Sequence, residues 1–501
     1  MKIPLAESIM VRGAFIFFVF KLLLFGALPA DAWSAQEKRP NIILIVGDDM
    51  GYADIGVHGC RDIPTPHIDA LAAAGVRCTS GYVSGPYCSP TRAGLLTGRY
   101  QTRFGHEFNP GGGQRRARRR QAQGGNDTQQ QEQRQDRRRA RRMGLPVSET
   151  TIADRLKAAG YTTGLVGKWH LGGGERFHPQ RRGFDEFFGF LGGAHPYFPA
   201  EEGRILRGKE RVDEQEYLTD ALAREAVAFI DRHREQPFFL FLSFNAVHTP
   251  MHADEARLAK FKDIGDERRR TYAAMMSAMD DAIGAVAEKL REARLEENTL
   301  VFFISDNGGP TMPGTSGNAS NNAPLRGSKR TTLEGGIRVP YFVKWPAQLP
   351  AGKVYEQPVI QIDIVPTALA AAGVENKEDD SIEGVNLLPH LRGDDDAAPH
   401  EALYWRFGRQ MAIRQGDWKL VRYDATVDGM RGQFTDAKLY NLAADIGEAN
   451  DLIDDEPEKA AALQAAWDEW NKSNVRALWG DGRGRGRRNA PNRQPEETST
   501  P

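Results

Sequence analysis

Between position 41 and about 373 the chain alternates short apolar runs with longer stretches of helical periodicity. That pattern predicts an α/β fold with a large, mainly parallel central sheet flanked by helices. The predicted strands are 41–46, 161–166, 237–244, 300–305 and 339–343. Thr65 is placed to cap a helix with Pro66 at its first position and Gly75 just past its end, and Thr219 to cap an amphipathic run reaching Glu235. The stretch from Glu267 to Arg294 reads as a further helix. From Glu401 the pattern changes: 402–407, 411–414, 418–423 and 439–442 are short strand candidates separated by turn residues, followed by a helix over 456–470. This predicts a smaller C-terminal domain with an antiparallel sheet and a helix. The boundary is expected between Gly373 and Glu401, where Glu, Asp and Gly accumulate.

Two segments break the pattern. Residues 114–142 are rich in Arg and Gln, and the tail from 480 is rich in Gly, Arg and Pro. Neither has the apolar content to offset the entropy of ordering, so both read as solvated polypeptide, with contact to a polyanion as the lesser alternative. At the amino end, Lys2 and Arg12 flank an approach to an apolar run over 14–28, and Ala30-Asp31-Ala32 has the small-x-small form of a signal-peptidase site. Export is expected, to a periplasm or the cell exterior. Lys21 interrupts the run and argues against a permanent anchor, the other reading. The expected division is a leader at 1–32, the main α/β domain at 33–385 with 114–142 inserted, the small domain at 386–475 and a disordered tail at 476–501.

Of the 501 residues, 40% are hydrophobic and 27% charged, enough for one large core with a satellite. The formal net charge of -1 excludes a uniform electrostatic grip on nucleic acid or anionic lipid, so neither a nucleic-acid partner nor stable membrane insertion is expected. Three cysteines, Cys60, Cys78 and Cys88, are too few for a disulfide scaffold, and an odd number leaves at least one thiol over. Whether Cys60 and Cys78 are bridged stays open.

In open α/β sheets ligands bind beyond the carboxyl ends of the strands, so the residues that follow each predicted strand belong together. They are Asp48-Asp49, Gly167-Lys168-Trp169-His170, Asn245 to Pro250 with His248, and Asp306-Asn307. Asp48, Asp49, Asp306 and Asn307 offer hard oxygen atoms that suit Ca²⁺, with Mg²⁺ as the alternative, rather than zinc. Either pair alone reads more readily as a turn or a helix cap. A further segment, Cys88-Ser89-Pro90-Thr91-Arg92-Ala93-Gly94-Leu95-Leu96-Thr97-Gly98-Arg99, puts Ser89 and Pro90 where an N-cap and first helical residue belong. Cys88 then sits at the positive end of a helix dipole, where an anion is favoured. The alternative is a buried Cys ahead of an ordinary helix.

That segment resembles the type I sulfatase signature, Cys-x-Pro-x-Arg followed by Leu-Thr-Gly-Arg. The resemblance extends over most of 41–440, through Gly167-Lys168-Trp169-His170, the 245–250 stretch, Ser305-Asp306-Asn307-Gly308-Gly309, and Leu325-Arg326-Gly327-Ser328-Lys329 to Pro340. It implies an alkaline-phosphatase-superfamily fold and a sulfuric ester hydrolase in which a maturation enzyme oxidises Cys88 to formylglycine. It further implies a metal held by Asp48, Asp49, Asp306 and Asn307 beside Cys88, and an aldehyde hydrate as nucleophile, activated by the cation and Asp306. By the same resemblance, Lys329 and His248 would hold the sulfate and protonate the leaving alcohol, with Lys168 also on the substrate, His170 would take a proton from the second hydroxyl, and Arg92 and Lys168 would orient the hydrate. The closest likeness is to arylsulfatases and N-acetylgalactosamine-6-sulfatase-like enzymes, which points to a sulfated carbohydrate. Phosphate or phosphonate esters are the nearest rival substrates, and a non-catalytic sulfated-glycan-binding protein is the rival from another class. The 114–142 stretch matches none of these blocks.

Overall fold

The computed structural model describes residues 39–110, 142–199, 205–375 and 381–480. The expected leader at 1–32, all but the last residue of the 114–142 stretch, and most of the tail lie outside them. The strands of the larger body are β1 (Asn41–Gly47), β2 (Val76–Cys78), β3 (Gly81–Tyr82), β4 (Thr162–Lys168), β5 (Glu186–Phe190), β6 (Leu206–Arg207), β7 (Glu210–Arg211), β8 (Phe238–Ser243), β9 (Thr299–Ser305), β10 (Tyr341–Lys344), β11 (Lys353–Tyr355) and β12 (Val359–Ile360). Ten of them form one sheet in the order β11-β2-β10-β9-β1-β8-β4-β5-β6-β7, and β3 pairs with β12 separately.

The centre of the sheet is parallel: β9, β1, β8, β4 and β5 run together. Antiparallel β10 then joins β9 to β2, so the strand expected at 339–343 is present but reverses direction. The continuous apolar run of β1 follows from burial on both faces. Ile43 and Ile45 point into one core with the helices Leu218–His233 and Glu267–Glu292, whereas Ile42, Leu44 and Val46 point into another. That second core contains Ala93, Leu95 and Leu96 of the helix α2 (Cys88–Thr97) and the helices Ile152–Ala158 and Ile364–Ala371. The result is a three-layer α/β/α body whose parallel strands all end on one side.

From Leu403 the chain makes a meander of β13 (Leu403–Phe407), β14 (Gln410–Gln415), β15 (Trp418–Arg422) and β16 (Lys438–Asn441), antiparallel throughout. One face packs Met411, Ile413, Leu420 and Leu439 on the helix Pro457–Lys472. The other packs Trp405, Ala412 and Val421 against Tyr82, Ile337 and Ile360 of the larger body. Beyond the last helix, Val475 N donates to Thr102 O and Leu478 N to Gly105 O, so 475–479 runs along 101–108.

Three expected caps are corrected. Helix α1 (Pro66–Ala73) does begin at Pro66, but Thr65 makes no cap bond; its hydroxyl accepts from Gly56 N and donates to Asp69. Asp280 accepts the free amides of His67 and Ile68 instead. Thr219 lies inside its helix, which starts at Leu218 after Tyr217. Helix α2 starts at Cys88 after Tyr87, so Ser89 and Pro90 are its second and third residues; the Ser89 hydroxyl is engaged elsewhere, and Asn109 accepts the Ser89 amide. All three cysteines are free thiols. Among the described residues no helix is long and apolar enough to cross a membrane.

Candidate active site

The two central strands deliver the carboxylates. β1 ends at Gly47 and β9, its neighbour, at Ser305, so Asp48-Asp49 and Asp306-Asn307 emerge side by side, with Asp306 N donating to Gly47 O. Asp49 adopts a left-handed backbone, φ 64°, which turns the chain at the sheet edge. Loop 245–248 follows β8 and pairs with Asp48: Asp48 N donates to Ala246 O and Val247 N to Asp48 O. Asn318 Nδ2 then bridges Asp49 O and Val247 O.

Cys88 opens α2, and Arg92 lies one turn further along the same face. The Arg92 guanidinium is fully buried and holds Asp306 Oδ2 through Nε at 3.0 Å and NH2 at 2.8 Å. Its NH1 donates to Ser243 Oγ at 2.5 Å and to Lys168 O at 3.3 Å, so one side chain ties α2 to the ends of β9, β8 and β4. Lys168 Nζ reaches Asp48 Oδ2 at 2.5 Å. Lys329 Nζ lies 2.5 Å from Asp49 Oδ1 and donates to Cys88 Sγ at 3.1 Å. Asn307 Nδ2 donates to Asp49 Oδ1 at 2.7 Å. The short helix Glu334–Ile337 that follows the Lys329 loop packs tightly over Gly308, where an added Cβ would stand 1.9 Å from Gly335 O.

Burial and neighbouring charge split the ionisable groups. Burial, reinforced by Asp306, raises Asp48 to about 8 in spite of Lys168. Burial acts the same way on Asp49, but the Lys329 ammonium, which also hydrogen-bonds it, outweighs burial with help from Lys168 and holds Asp49 down at about 2. Burial pushes the Cys88 thiol up to about 12 against the pull of Lys168 and Lys329, so at neutral pH it is no ready thiolate nucleophile. Burial lowers His248 to about 3 and, helped by Lys168 and Arg92, holds His170 well below the usual histidine value. Both rings are therefore neutral.

The donor set suits a hard divalent cation. Asp48 Oδ1, Asp49 Oδ2 and Asn307 Oδ1 are buried acceptor oxygens without a hydrogen bond. Asp48, Asp49, Cys88 and His248 each bring a ligand-type atom within 4.8 Å of the others. His248 Nδ1 must donate to Thr249 O, 2.6 Å away, which leaves the Nε2 lone pair facing Asp49 Oδ2 at 3.6 Å. Two acceptors so opposed call for a positive charge between or beside them, and oxygen ligands select Ca²⁺ or Mg²⁺. Asp306 differs from the other three, because Arg92 occupies its Oδ2 and Asp49 N donates to its Oδ1.

The structure thus joins Cys88, Lys329, Asp49, Asn307 and His248 directly, Lys168 through Asp48, and Arg92 through Asp306. His170 is placed by its backbone: φ is 59°, its carbonyl accepts from Ser89 Oγ, and its Nδ1 is buried without a partner. Gly193 covers its ring closely, since an added Cβ would lie 2.4 Å from Nε2. Ser243, Asn318 and Tyr197, whose hydroxyl donates to Asn245 O and His248 O, also build the site and were not singled out from sequence. Ser243 had a readable signal, a small polar residue at a strand's carboxyl end; Asn318 and Tyr197 had none.

Residues 40–374 match the Sulfatase family model, and 327–472 match N-sulphoglucosamine sulphohydrolase, C-terminal. The N-acetylgalactosamine-6-sulfatase of Sus scrofa is 35% identical over 404 residues, covering 77% of this chain and 72% of that one. The steryl-sulfatase of Mus musculus is 32% identical over 464 residues, covering 76% and 69%. Among solved structures, Ps i-CgsB in complex with k-i-k-neocarrahexaose superposes with a TM-score of 0.77 at 35% identity, covering 88% of this chain and 95% of that one. With a family model across most of the α/β body and relatives of this likeness across most of the chain, the protein belongs to the sulfatase family and is an enzyme that hydrolyses sulfate esters.

Proposed function

We propose that this chain desulfates a carbohydrate, using a nucleophile made from Cys88 as formylglycine and a Ca²⁺ ion held by Asp48, Asp49, Asp306 and Asn307. One observation carries the reading: three buried oxygens without hydrogen bonds, on Asp48, Asp49 and Asn307, gather where Lys168, Lys329 and Cys88 meet. A bound cation supplies Lewis-acid polarisation of a sulfate oxygen, and a hydrated aldehyde supplies an oxygen nucleophile where the thiol is protonated.

The chain's own residues do the rest. Lys329 and Lys168 place positive charge beside the sulfur-bound oxygens, where charge develops in the transition state. Their burial keeps water from screening that charge. The Thr249 carbonyl fixes His248 Nδ1 as a donor and leaves Nε2 as an acceptor. The Lys329 ammonium, kept charged by Asp49 against the effect of burial, is therefore the group that carries a proton for the leaving alcohol, with His248 beside it on the sulfate. A neutral His170 is competent to accept a proton. Arg92 locks the start of α2 to Asp306, which fixes the place of the reacting side chain at the sheet edge.

Support for a carbohydrate comes from relatives named for N-acetylgalactosamine-6-sulfatase activity and from the neocarrahexaose complex. A cavity of about 470 Å³ has Tyr197, Phe198, Arg211 and Asp213 in its wall; none of the site residues lines it, and its link to the site is Tyr197, whose hydroxyl donates to His248 O. The leader-like 1–32 segment supports action in a periplasm or outside the cell. The test is mass spectrometry of the tryptic peptide spanning 78–92 from natively produced protein, together with hydrolysis of a chromogenic aryl sulfate and a panel of sulfated oligosaccharides. A formyl group at 88 and desulfation of a saccharide are expected. An unmodified thiol in active protein, or turnover of the phosphate analogue but not the sulfate, overturns the reading.

A further inference from the structure

Helix α2 is tied to His170 by a short buried chain of hydrogen bonds that the chemistry above does not use. Ser89, the residue after Cys88, donates its hydroxyl proton to His170 O at 2.7 Å. That hydroxyl has one proton, so His106 Nε2, also 2.7 Å from Ser89 Oγ, meets it as the donor. Burial keeps the His106 ring neutral, with its single proton on Nε2. Ser89 and His106 are both fully buried. At the far end, Trp479 packs edge-on against the His106 ring, with centroids 4.9 Å apart, and its Nε1 donates to Phe108 O at 2.7 Å.

The residues on either side of the recipient are held by the sheet and its neighbour, Trp169 N donating to Phe190 O and Leu145 N to Leu171 O, while the carbonyl of His170 itself is held by Ser89. β4 ends at Lys168, and His170 sits at φ 59°, a region that is costly for a residue with a Cβ and persists only where neighbours enforce it. We propose that Ser89 and His106 are positioning residues that set the backbone of His170 against the start of α2, with Trp479 holding His106 in its seat. The inference rests on the reading of His170 as a proton-handling residue. It explains why a serine follows the reacting cysteine: one hydroxyl makes the distance between the nucleophile-bearing residue and its base a property of two adjoining residues. A misplacement of about 1 Å between reacting groups costs on the order of a hundredfold in rate.

The test uses the full-length enzyme with Ser89→Ala, His106→Leu, His106→Gln and, as reference, His170→Ala. Conversion at Cys88 is measured by peptide mass, and kcat is expressed per converted enzyme. Ser89→Ala and His106→Leu are expected to lower kcat about tenfold to a hundredfold while KM stays within about twofold. His106→Gln, whose amide Nε2 can replace the ring N–H, should recover most of that loss. A crystal structure of Ser89→Ala should show residue 170 shifted or out of the left-handed region. A kcat within about twofold of wild type in both Ser89→Ala and His106→Leu overturns the proposal, as does a His106→Gln enzyme no better than His106→Leu. Full activity in His170→Ala removes the role of His170 itself; an inactive His170→Ala beside a fully active Ser89→Ala removes only the positioning chain. Should His106→Leu fail to fold, Trp479→Phe keeps the ring contact and loses the bond to Phe108, and a kcat loss smaller than that of Ser89→Ala is expected; a larger one counts against the order of the chain.

Discussion

Two buried clusters in this molecule have the same electrostatic signature and different uses. At the sheet edge, Asp48 is raised to about 8 by burial, and Asp49 is held near 2 by Lys329, with Lys168, against the effect of burial. Under the C-terminal sheet, Glu448 is raised to about 7 by burial, and Glu334 falls to about 2 because Lys419 and Arg338 outweigh burial. Perturbed ionisation therefore does not by itself mark the reactive site. What separates the clusters is satisfaction. Glu334 receives Lys419 on one oxygen and Tyr82 with Arg338 on the other, and Glu448 Oε2 receives the Glu334 amide; Glu448 Oε1 makes no hydrogen bond but lies 2.8 Å from the Lys419 ammonium, so every oxygen of this pair faces a donor or a cation. At the sheet edge Asp48 Oδ1, Asp49 Oδ2 and Asn307 Oδ1 have neither a hydrogen bond nor a lysine or arginine on them. The saturated cluster fastens two parts of the fold; the unsaturated one is built for something still to arrive.

The largest effect should come from the unsaturated cluster. Cys88→Ala is expected to lower kcat by about 10³-fold or more, with the melting temperature nearly unchanged, as judged by aryl sulfate hydrolysis and thermal scanning. Substantial turnover in that variant assigns the nucleophile elsewhere. Lys419→Met should do the opposite, leaving two buried carboxylates without their shared cation at a cost of about 3–5 kcal/mol in chemical denaturation. A cost under about 1 kcal/mol erases the distinction between the clusters. Chelation should abolish turnover and lower the melting temperature, and Ca²⁺ at a hundredfold excess over its dissociation constant should restore about 2.7 kcal/mol. Asp49→Asn should lose that response and Lys419→Met should keep it.

The smallest effect tests a saturated pair by pH. Burial alone would lower His400, but Asp363, 2.9 Å from its Nε2, prevails and raises it above the usual histidine value. A raised folded value means the stabilisation is complete below the unfolded value near 6.5 and is lost as pH rises through the folded one. His400→Gln should therefore cost about 1 kcal/mol at pH 5.5 and close to nothing at pH 9. An equal cost at both pH values shows that packing, not charge, holds that contact.

How much was legible follows from where the information sits along the chain. β1, β4, β8 and β9 were readable because strands covered on both faces are continuous apolar runs, and Asp48, Asp49, Lys168, His170, His248, Asp306 and Asn307 were readable because each stands at or just past the end of one of those runs, whereas Cys88, Arg92 and Lys329 were read from the resemblance. β2, β3, β6, β7 and β12 have two or three residues each, too short for any period, and exist because a neighbouring strand pairs with them. The caps failed for a related reason. Thr65 and Ser89 had the right chemistry at the right place, yet partners distant in sequence claimed their hydroxyls or did their work, as Asp280 does for α1 from more than 200 residues away. The same holds for Asn318 and for His106, whose roles are defined by contacts across the fold.

All ten residues of α2 are buried, and Cys88 exposes 1% of its surface. Once this layer has docked, no second protein can grip the segment around residue 88. Any enzyme that modifies this cysteine must therefore act on the nascent or unfolded chain, and a copy that folds first is left permanently unconverted. On the proposed conversion of Cys88, the yield of competent enzyme in a cell would be set by a race between catalysed oxidation and folding, and slowing the second should raise the converted fraction without any change in the mature molecule.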